Sequence, residues 1–255
     1  MLAEDINVFY LSRPAYDDLL SFETDFAQIC ELILLFSESQ GSIAELGAFA
    51  MVPEIAGKTM VVVREGHLKD KSFIRLGPLL YLTNNYGHEA VFAIEDEDVG
   101  IIQDRATHVN LDVLRGRLCG PVDSRLSVIK EPRTFNRDRA GHLIKLIVGF
   151  IQEFGALSIA EIGELLAHLG VVKTDHDIDK LLLCAEAVGW IAQEQKGFTN
   201  LFFALPVPDA ARMTLLKHAP VRDKMRRRAL IRDHWKHHDE PRYRGIVKHA
   251  EEVSR

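Results

Sequence analysis

Residues 31–49 decide the fold: Glu31-Leu32-Ile33-Leu34-Leu35-Phe36 runs into Ser37-Glu38-Ser39-Gln40-Gly41, and then into Ser42-Ile43-Ala44-Glu45-Leu46-Gly47-Ala48-Phe49. The first piece is a short unbroken apolar run, which predicts a strand covered on both faces. The second is a polar turn. The third carries Ser42 three residues before Glu45, a capping-box pattern opening a helix through Met51. Upstream, Leu19, Leu20, Phe22, Phe26, Ile29 and Cys30 recur at helical spacing, and Ile6-Asn7-Val8-Phe9-Tyr10 reads as a strand. Downstream, Lys58–Val63 and Ala90–Ile94 read as further buried strands. Strands apolar on both faces, alternating with helices, predict a Rossmann-like parallel α/β sheet over residues 1–125 with helices on each side. Such sheets bind ligands beyond the carboxyl ends of their strands, so loop 37–42 is where chemistry is expected.

The architecture then changes. Residues 126–140 show no period, contain Lys130, Pro132, Arg133, Arg137 and Arg139, and read as a linker. Residues 141–208 predict a helix over Leu143–Ile151, a second from the capping box Ser158–Glu161 to the stop at Gly170, and a third over Asp175–Val188 ended by Gly189. Two strands, Trp190–Gln193 and Leu201–Ala204, follow, joined across Gln195–Asn200. Helices and hairpin in this order predict a winged helix-turn-helix domain. Residues 209–255 form a basic helical tail.

The chain has 255 residues, and its net charge of −6 is unevenly spread. Residues 212–255 hold 13 basic and 6 acidic residues, a net of +7, which leaves −13 on residues 1–211. Nothing in the chain reaches the roughly 18–20 apolar residues needed to cross a bilayer, and Met1-Leu2-Ala3-Glu4-Asp5 lacks the basic start of a signal peptide. Cys30, Cys119 and Cys184 are odd in number and far apart, so neither a disulfide framework nor a thiolate metal site is expected, and the cytoplasm is the expected compartment.

Motif mechanics alone give loop 37–49 a structural job: Ser42 and Glu45 as a cap, Gly41 as a turn residue, Gly47 as a close-packing position. The motif as a whole, with Glu23 on the preceding helix and Lys71-Ser72-Phe73-Ile74-x-x-Gly77-Pro78 after it, resembles the effector proteins of retrons, relatives of the nucleoside 2-deoxyribosyltransferases. The likeness is close over residues 5–82. It implies attack on an N-glycosidic bond of a nucleotide, nucleoside or NAD, with Glu45 as nucleophile, since a carboxylate can trap the anomeric carbon of an oxocarbenium-like transition state. Glu38 and Glu23 are the available second carboxyls. Ser37, Gly41 and Ser42, at the helix start, are the candidate binders of substrate oxygens. Family members begin with a further strand, whereas Ile6–Tyr10 reads as the second, so either the start of this sequence is internal or the pocket is incomplete, and either a segment added by a partner or a weakened N-terminal domain is expected.

The resemblance further implies a toxin of antiphage defence held in check by a retron reverse transcriptase and its branched RNA–DNA hybrid, in a homo-oligomer or higher assembly without a membrane. No cofactor is expected. In the tail, Arg226, Arg227, Arg228, Arg232 and Trp235 interleave cations with an aromatic ring, a pattern suited to phosphate pairing and base stacking. His218, His234, His237 and His238 lie in a Lys/Arg-rich tail with few carboxylates nearby, so no metal is expected. The third helix of the winged segment carries Asp175, Asp177, Asp179 and Glu186 against Lys180, the wrong sign for a DNA groove, and is expected to contact protein. The competing reading is a nucleotide-sensing, non-catalytic winged-helix regulator or scaffold.

Overall fold

The computed structural model describes residues 3–69, 71–101, 109–130, 134–215 and 217–251; Pro132 and Arg133 of the expected linker lie outside them. Two compact units divide the chain. Cys30–Thr134 form one, and the residues up to Ile29 join those from Phe135 onward in the other. The N-terminal helices therefore belong with the C-terminal half, whereas the sequence pattern grouped them with the sheet.

The chain opens with α1 (Ala3–Ser12) and α2 (Leu19–Ala27). Ile6–Tyr10 is thus helix, not strand. Ile6, Phe9, Tyr10 and Arg13 form the half-buried side while Val8 and Leu11 face out, so a 3.6-residue period governs a run that β-branched and aromatic residues make look extended.

The sheet unit continues with β1 (Ile33–Phe36), α3 (Gln40–Met51), α4 (Pro53–Ala56), β2 (Thr59–Arg64) and α5 (Glu65–Lys69). After a π-helical turn over Arg75–Leu79 come α6 (Leu80–Tyr86), β3 (Val91–Ile94), α7 (Asp96–Val99) and α8 (Leu111–Val128). The three strands are parallel in the order β1-β2-β3, with Phe36 opposite Val62 and Val62 opposite Phe92. The middle strand is buried from Thr59 to Val63, as its unbroken apolar run requires. Pro78 has no N–H for the helical ladder, and the turn widens so that the Leu80 amide donates to the Arg75 carbonyl five residues back.

Helix α8 runs to Val128 and so takes in the first residues of the expected linker. Its Arg125, 1% exposed, donates to the carbonyls of Thr59 (3.1 Å), Tyr86 (2.8 Å) and Gly57 (2.9 Å), with Ala56 at 3.4 Å. Those carbonyls end helices or begin β2, where the regular ladders run short of donors. Burial pulls the pKa of this guanidinium down from its ordinary value, against the opposing pull of Glu89.

In the other unit, α9 (Ala140–Phe154) and the short strand β4 (Ala156–Leu157) lead to α10 (Ile159–His168) and α11 (Asp175–Ala187). The expected Ser158–Glu161 capping box is present, and Gly170 and Gly189 stop the two helices at φ of +72° and +68°, the left-handed region that glycine enters freely. The hairpin strands are longer than the pattern suggested, β5 (Ile191–Lys196) and β6 (Thr199–Ala204), leaving only Gly197-Phe198 as the turn. The antiparallel sheet has the order β4-β6-β5. Ile144, Ile147 and Ile151 of α9 are fully buried, as are Ile162, Leu182 and Phe202, while Phe203, on the opposite face of β6 from Phe202, packs with Ala156, Leu201 and Ile246. The tail is α12 (Lys224–His238) and α13 (Glu240–Glu251).

Helix α11 is covered by the chain's own N-terminal helices. Arg13 donates to Glu186 at 2.5 Å and faces Asp179 at 3.4 Å, and the Tyr16 hydroxyl reaches the Lys180 carbonyl and Cys184 Sγ. The acidic helix contacts protein within the chain itself.

Candidate functional site

The carboxyl ends of the three parallel strands bring one polar cluster together. Glu38 is two residues past the Phe36–Val62 pair, and Arg64 is two past Val62 and opposite Ile94. Glu38 and Asp96 lie just past the ends of β1 and β3 and Arg64 ends β2, so the parallel order brings the three to one rim of the sheet. Arg64 grips Asp96 with two hydrogen bonds, Nε to Oδ1 at 2.7 Å and a second to Oδ2, and its other terminal nitrogen lies 3.9 Å from Glu38 Oε2. The hydrogen bonds from Arg64 hold the Asp96 carboxyl below the usual carboxylate range. Neither Arg64 nor Asp96 stood out in the sequence. An arginine ending a strand and an aspartate opening the next helix become partners only through register.

Helix α3 starts earlier than the capping pattern indicated. Ser39 is the N-cap, accepting from the Ser42 amide at 3.0 Å, while Ser42 Oγ accepts from the Glu38 and Ser39 amides at 3.1 and 2.9 Å. Two serines thus close the box and Glu45 takes no part in it. Gly41 sits inside the first helical turn, not in a bend. Helix geometry leaves the amides of Gln40 and Gly41 without an intrahelical acceptor. Ser37 is 2% exposed and its amide donates to Val62 O at 3.0 Å, extending the β1–β2 ladder.

Glu45 is exposed on α3 and makes no hydrogen bond or ion pair among the described residues. Gly47 is not a close-packing position: a Cβ there would meet nothing within 4 Å. It borders an apolar groove of about 430 Å³ formed with Met51, Phe73, Leu76, Tyr81 and Asn84. At about 100° per residue, Gly47, Ala50 and Met51 stand well around the helix from Glu45, so carboxylate and groove occupy different sides of α3. Glu23, half-buried on α2, belongs to the other unit.

The tail residues have divided tasks. Arg227 and Arg228 both bond Glu153 of α9, and Arg228 also reaches Asp209 at 3.2 Å. Trp235 Nε1 donates to the Phe154 carbonyl at 2.8 Å, and Arg242 stacks over the indole at 4.2 Å. These three dock α12 onto the unit. Arg226 and Arg232 remain exposed. Among the described residues no group of three or more His, Cys, Asp or Glu is arranged to hold a metal ion, and no helix is long and apolar enough to cross a membrane.

A family model described as STM3845 retron effector protein matches residues 1–193. Two curated relatives from Escherichia coli are similar over shorter stretches. A provisionally named ribosyltransferase/DNA-binding protein of retron Ec73 is 36% identical over 67 residues, 26% of this chain and 21% of the relative. Its counterpart from retron Ec86 is 34% identical over 87 residues, 31% of this chain and 28% of the relative. The matched stretches thus span less than a third of either relative's length.

Proposed function

The chain belongs to the STM3845 retron effector family, and from that premise we propose that its sheet unit cleaves an N-glycosidic bond of a nucleotide, nucleoside or NAD. The observation that carries this reading is Glu45, an exposed carboxylate without a partner among the described residues, on the helix that follows the carboxyl end of β1 and within the motif that resembles the deoxyribosyltransferase nucleophile. The sheet is read as Rossmann-like, and its order and parallel pairing support that. Glu45 forms the bond to the anomeric carbon as the base departs, and Glu38, at the same rim, serves the water that releases the sugar. The name carried by the two relatives, ribosyltransferase/DNA-binding, supports both this chemistry and a nucleic-acid role.

The second unit is read as a winged helix-turn-helix, which the order α9-β4-α10-α11-β5-β6 supports. Because α1 and α2 occupy α11, contact with the branched RNA–DNA hybrid falls to α12, through the exposed Arg226 and Arg232. The reverse transcriptase is the proposed second partner, holding a toxic activity in check.

The deciding experiment is chromatography of free base released by the purified chain and by Glu45→Gln. Release by wild type and loss of at least about 100-fold in the variant, with an unchanged melting temperature, is the expected result. Equal rates for the two would remove Glu45 from the mechanism. No release by either would leave the non-catalytic, nucleotide-sensing regulator as the reading.

A further inference from the structure

We infer that Arg64 is a positioning residue: anchored by Asp96, it holds the Glu38 carboxylate in place at the rim of the parallel sheet. The inference rests on the reading of that rim as an N-glycoside-cleaving site. Three features lead to it. The two-point grip of Asp96 on Nε and a terminal nitrogen removes the freedom of the guanidinium, which leaves its remaining terminal nitrogen facing Glu38 at 3.9 Å. Arg64 has a side chain 13% exposed while that of Glu38 is 40% exposed, so the fixed partner is the covered one and the reaching partner stands open to a ligand. The main chain of Glu38 is held as well, by its amide's bond to Ser42 Oγ at 3.1 Å.

This arrangement gives the two glutamates different work. Glu45 makes no ion pair among the described residues and is exposed on α3. Glu38 stands half-exposed beside the fixed guanidinium, where an incoming water can reach its carboxyl oxygens. In the cleavage step the C1′–N bond breaks, its electron pair leaves with the base, and a Glu45 oxygen forms the bond to C1′. The base takes any proton it needs from solvent. Water then adds to C1′, one of its protons passes to Glu38, and the electron pair of the C1′–O bond returns to Glu45. Glu38 afterwards gives its proton to solvent, so both carboxylates are restored.

The test uses the full chain carrying Arg64→Gln, Arg64→Lys or Asp96→Asn, each alone and combined with Glu38→Gln, with NAD, AMP and deoxyadenosine as separate probes and kcat, KM and melting temperature as readouts. Arg64→Gln is expected to lower kcat about 10–100-fold with KM changed less than about 2-fold, and Arg64→Lys to recover part of the loss. In the Glu38→Gln background, Arg64→Gln should cost less than about 2-fold more. Equal losses from Arg64→Gln with and without Glu38 would overturn the inference, because Arg64 would then act through something else. A rise in KM at constant kcat would overturn it too, making Arg64 a substrate binder. If wild type releases no base from any probe, it is the function of the rim that fails, a result distinct from either of these.

Discussion

Gly245 of α13 lies against the ring of Phe203 in β6 so closely that a Cβ on the glycine would stand 2.4 Å from Cε1 and 2.5 Å from Cζ. Phe203 is fully buried and pinned by Ala156 and Ile246, so the ring has no room to retreat. Gly245→Ala should therefore loosen the tail and destabilise its unit by about 1–3 kcal/mol in denaturant unfolding. Gly47→Ala supplies the contrast, since that position is helical with open space around it. It should stabilise the sheet unit by about 1 kcal/mol. Equal midpoints for wild type and Gly245→Ala would show that α13 is not held against this sheet.

Arg125→Met should be the most damaging single change in the sheet unit. The methionine fills part of the volume but leaves the carbonyls of Thr59, Tyr86 and Gly57 buried without donors, a loss of about 3 kcal/mol or more. Urea unfolding followed by circular dichroism measures it. A loss below about 1 kcal/mol would mean that water replaces the guanidinium.

How far these features could be read from the sequence depended on the range of the interactions. The positions of the three parallel strands, the Ser158–Glu161 cap and the stops at Gly170 and Gly189 follow from residues within a turn or two of each other, and local spacing exposed them; the two-sided burial expected of the strands holds only for β2, since Leu34 and Phe36 of β1 are 37% and 39% exposed and β3 is mostly half-buried. Ile6–Tyr10 misled because β-branched and aromatic residues dominate it, yet its packing against α2 and α11 selects the helical period. The capping box was misplaced because Ser39 and Ser42 compete with Ser42 and Glu45 for the same role, and only the backbone shows which pair closes. Arg64–Asp96 and Arg125 depend on strand register and on backbone ends far apart in the chain, which no local pattern carries.

The contact between Arg13 and Glu186 makes the seating of α1 on α11 depend on pH in a defined direction. Burial raises the Glu186 carboxyl, and Arg13 opposes that rise. Removing the cation by Arg13→Ala leaves a buried acid whose folded-state pKa lies further above its unfolded value. Such a group costs nothing when both states are protonated, and its cost grows as pH rises through the folded pKa. Arg13→Ala should hence destabilise more at pH 7 than at pH 4, with faster amide exchange over residues 3–12. A penalty independent of pH would assign the effect to lost packing alone.

Glu194 acts in the opposite sense. Hydrogen bonds from Lys196 and Lys248 lower its carboxyl to about 2, and His249 adds to the pull. A depressed acid contributes stability that is fully present above its ordinary value of 4.5 and lost as pH falls toward 2. The anchorage of α13 through Lys248 and His249 should weaken over that interval, and Glu194→Gln should flatten the change. Trp235 fluorescence follows the tail, because its indole is bonded to Phe154 and stacked under Arg242.

The tail arginines allow docking to be separated from nucleic-acid binding. Arg227 and Arg228 are consumed by Glu153 and Asp209, whereas Arg226 and Arg232 are exposed, so the two pairs should respond differently to replacement by Gln. The Arg227→Gln, Arg228→Gln double variant should lower the melting temperature, since it strips two partners from a mostly buried Glu153 carboxylate. The Arg226→Gln, Arg232→Gln double variant should leave melting unchanged and weaken binding to an RNA–DNA hybrid oligonucleotide. Each arginine–phosphate pairing removed should reduce the slope of log affinity against log salt by about 0.7–0.9, for a change of about 1.4–1.8 when both arginines are replaced. An unchanged slope with weaker folding in neither variant would place the hybrid elsewhere on the unit and leave Arg226 and Arg232 as solvated side chains.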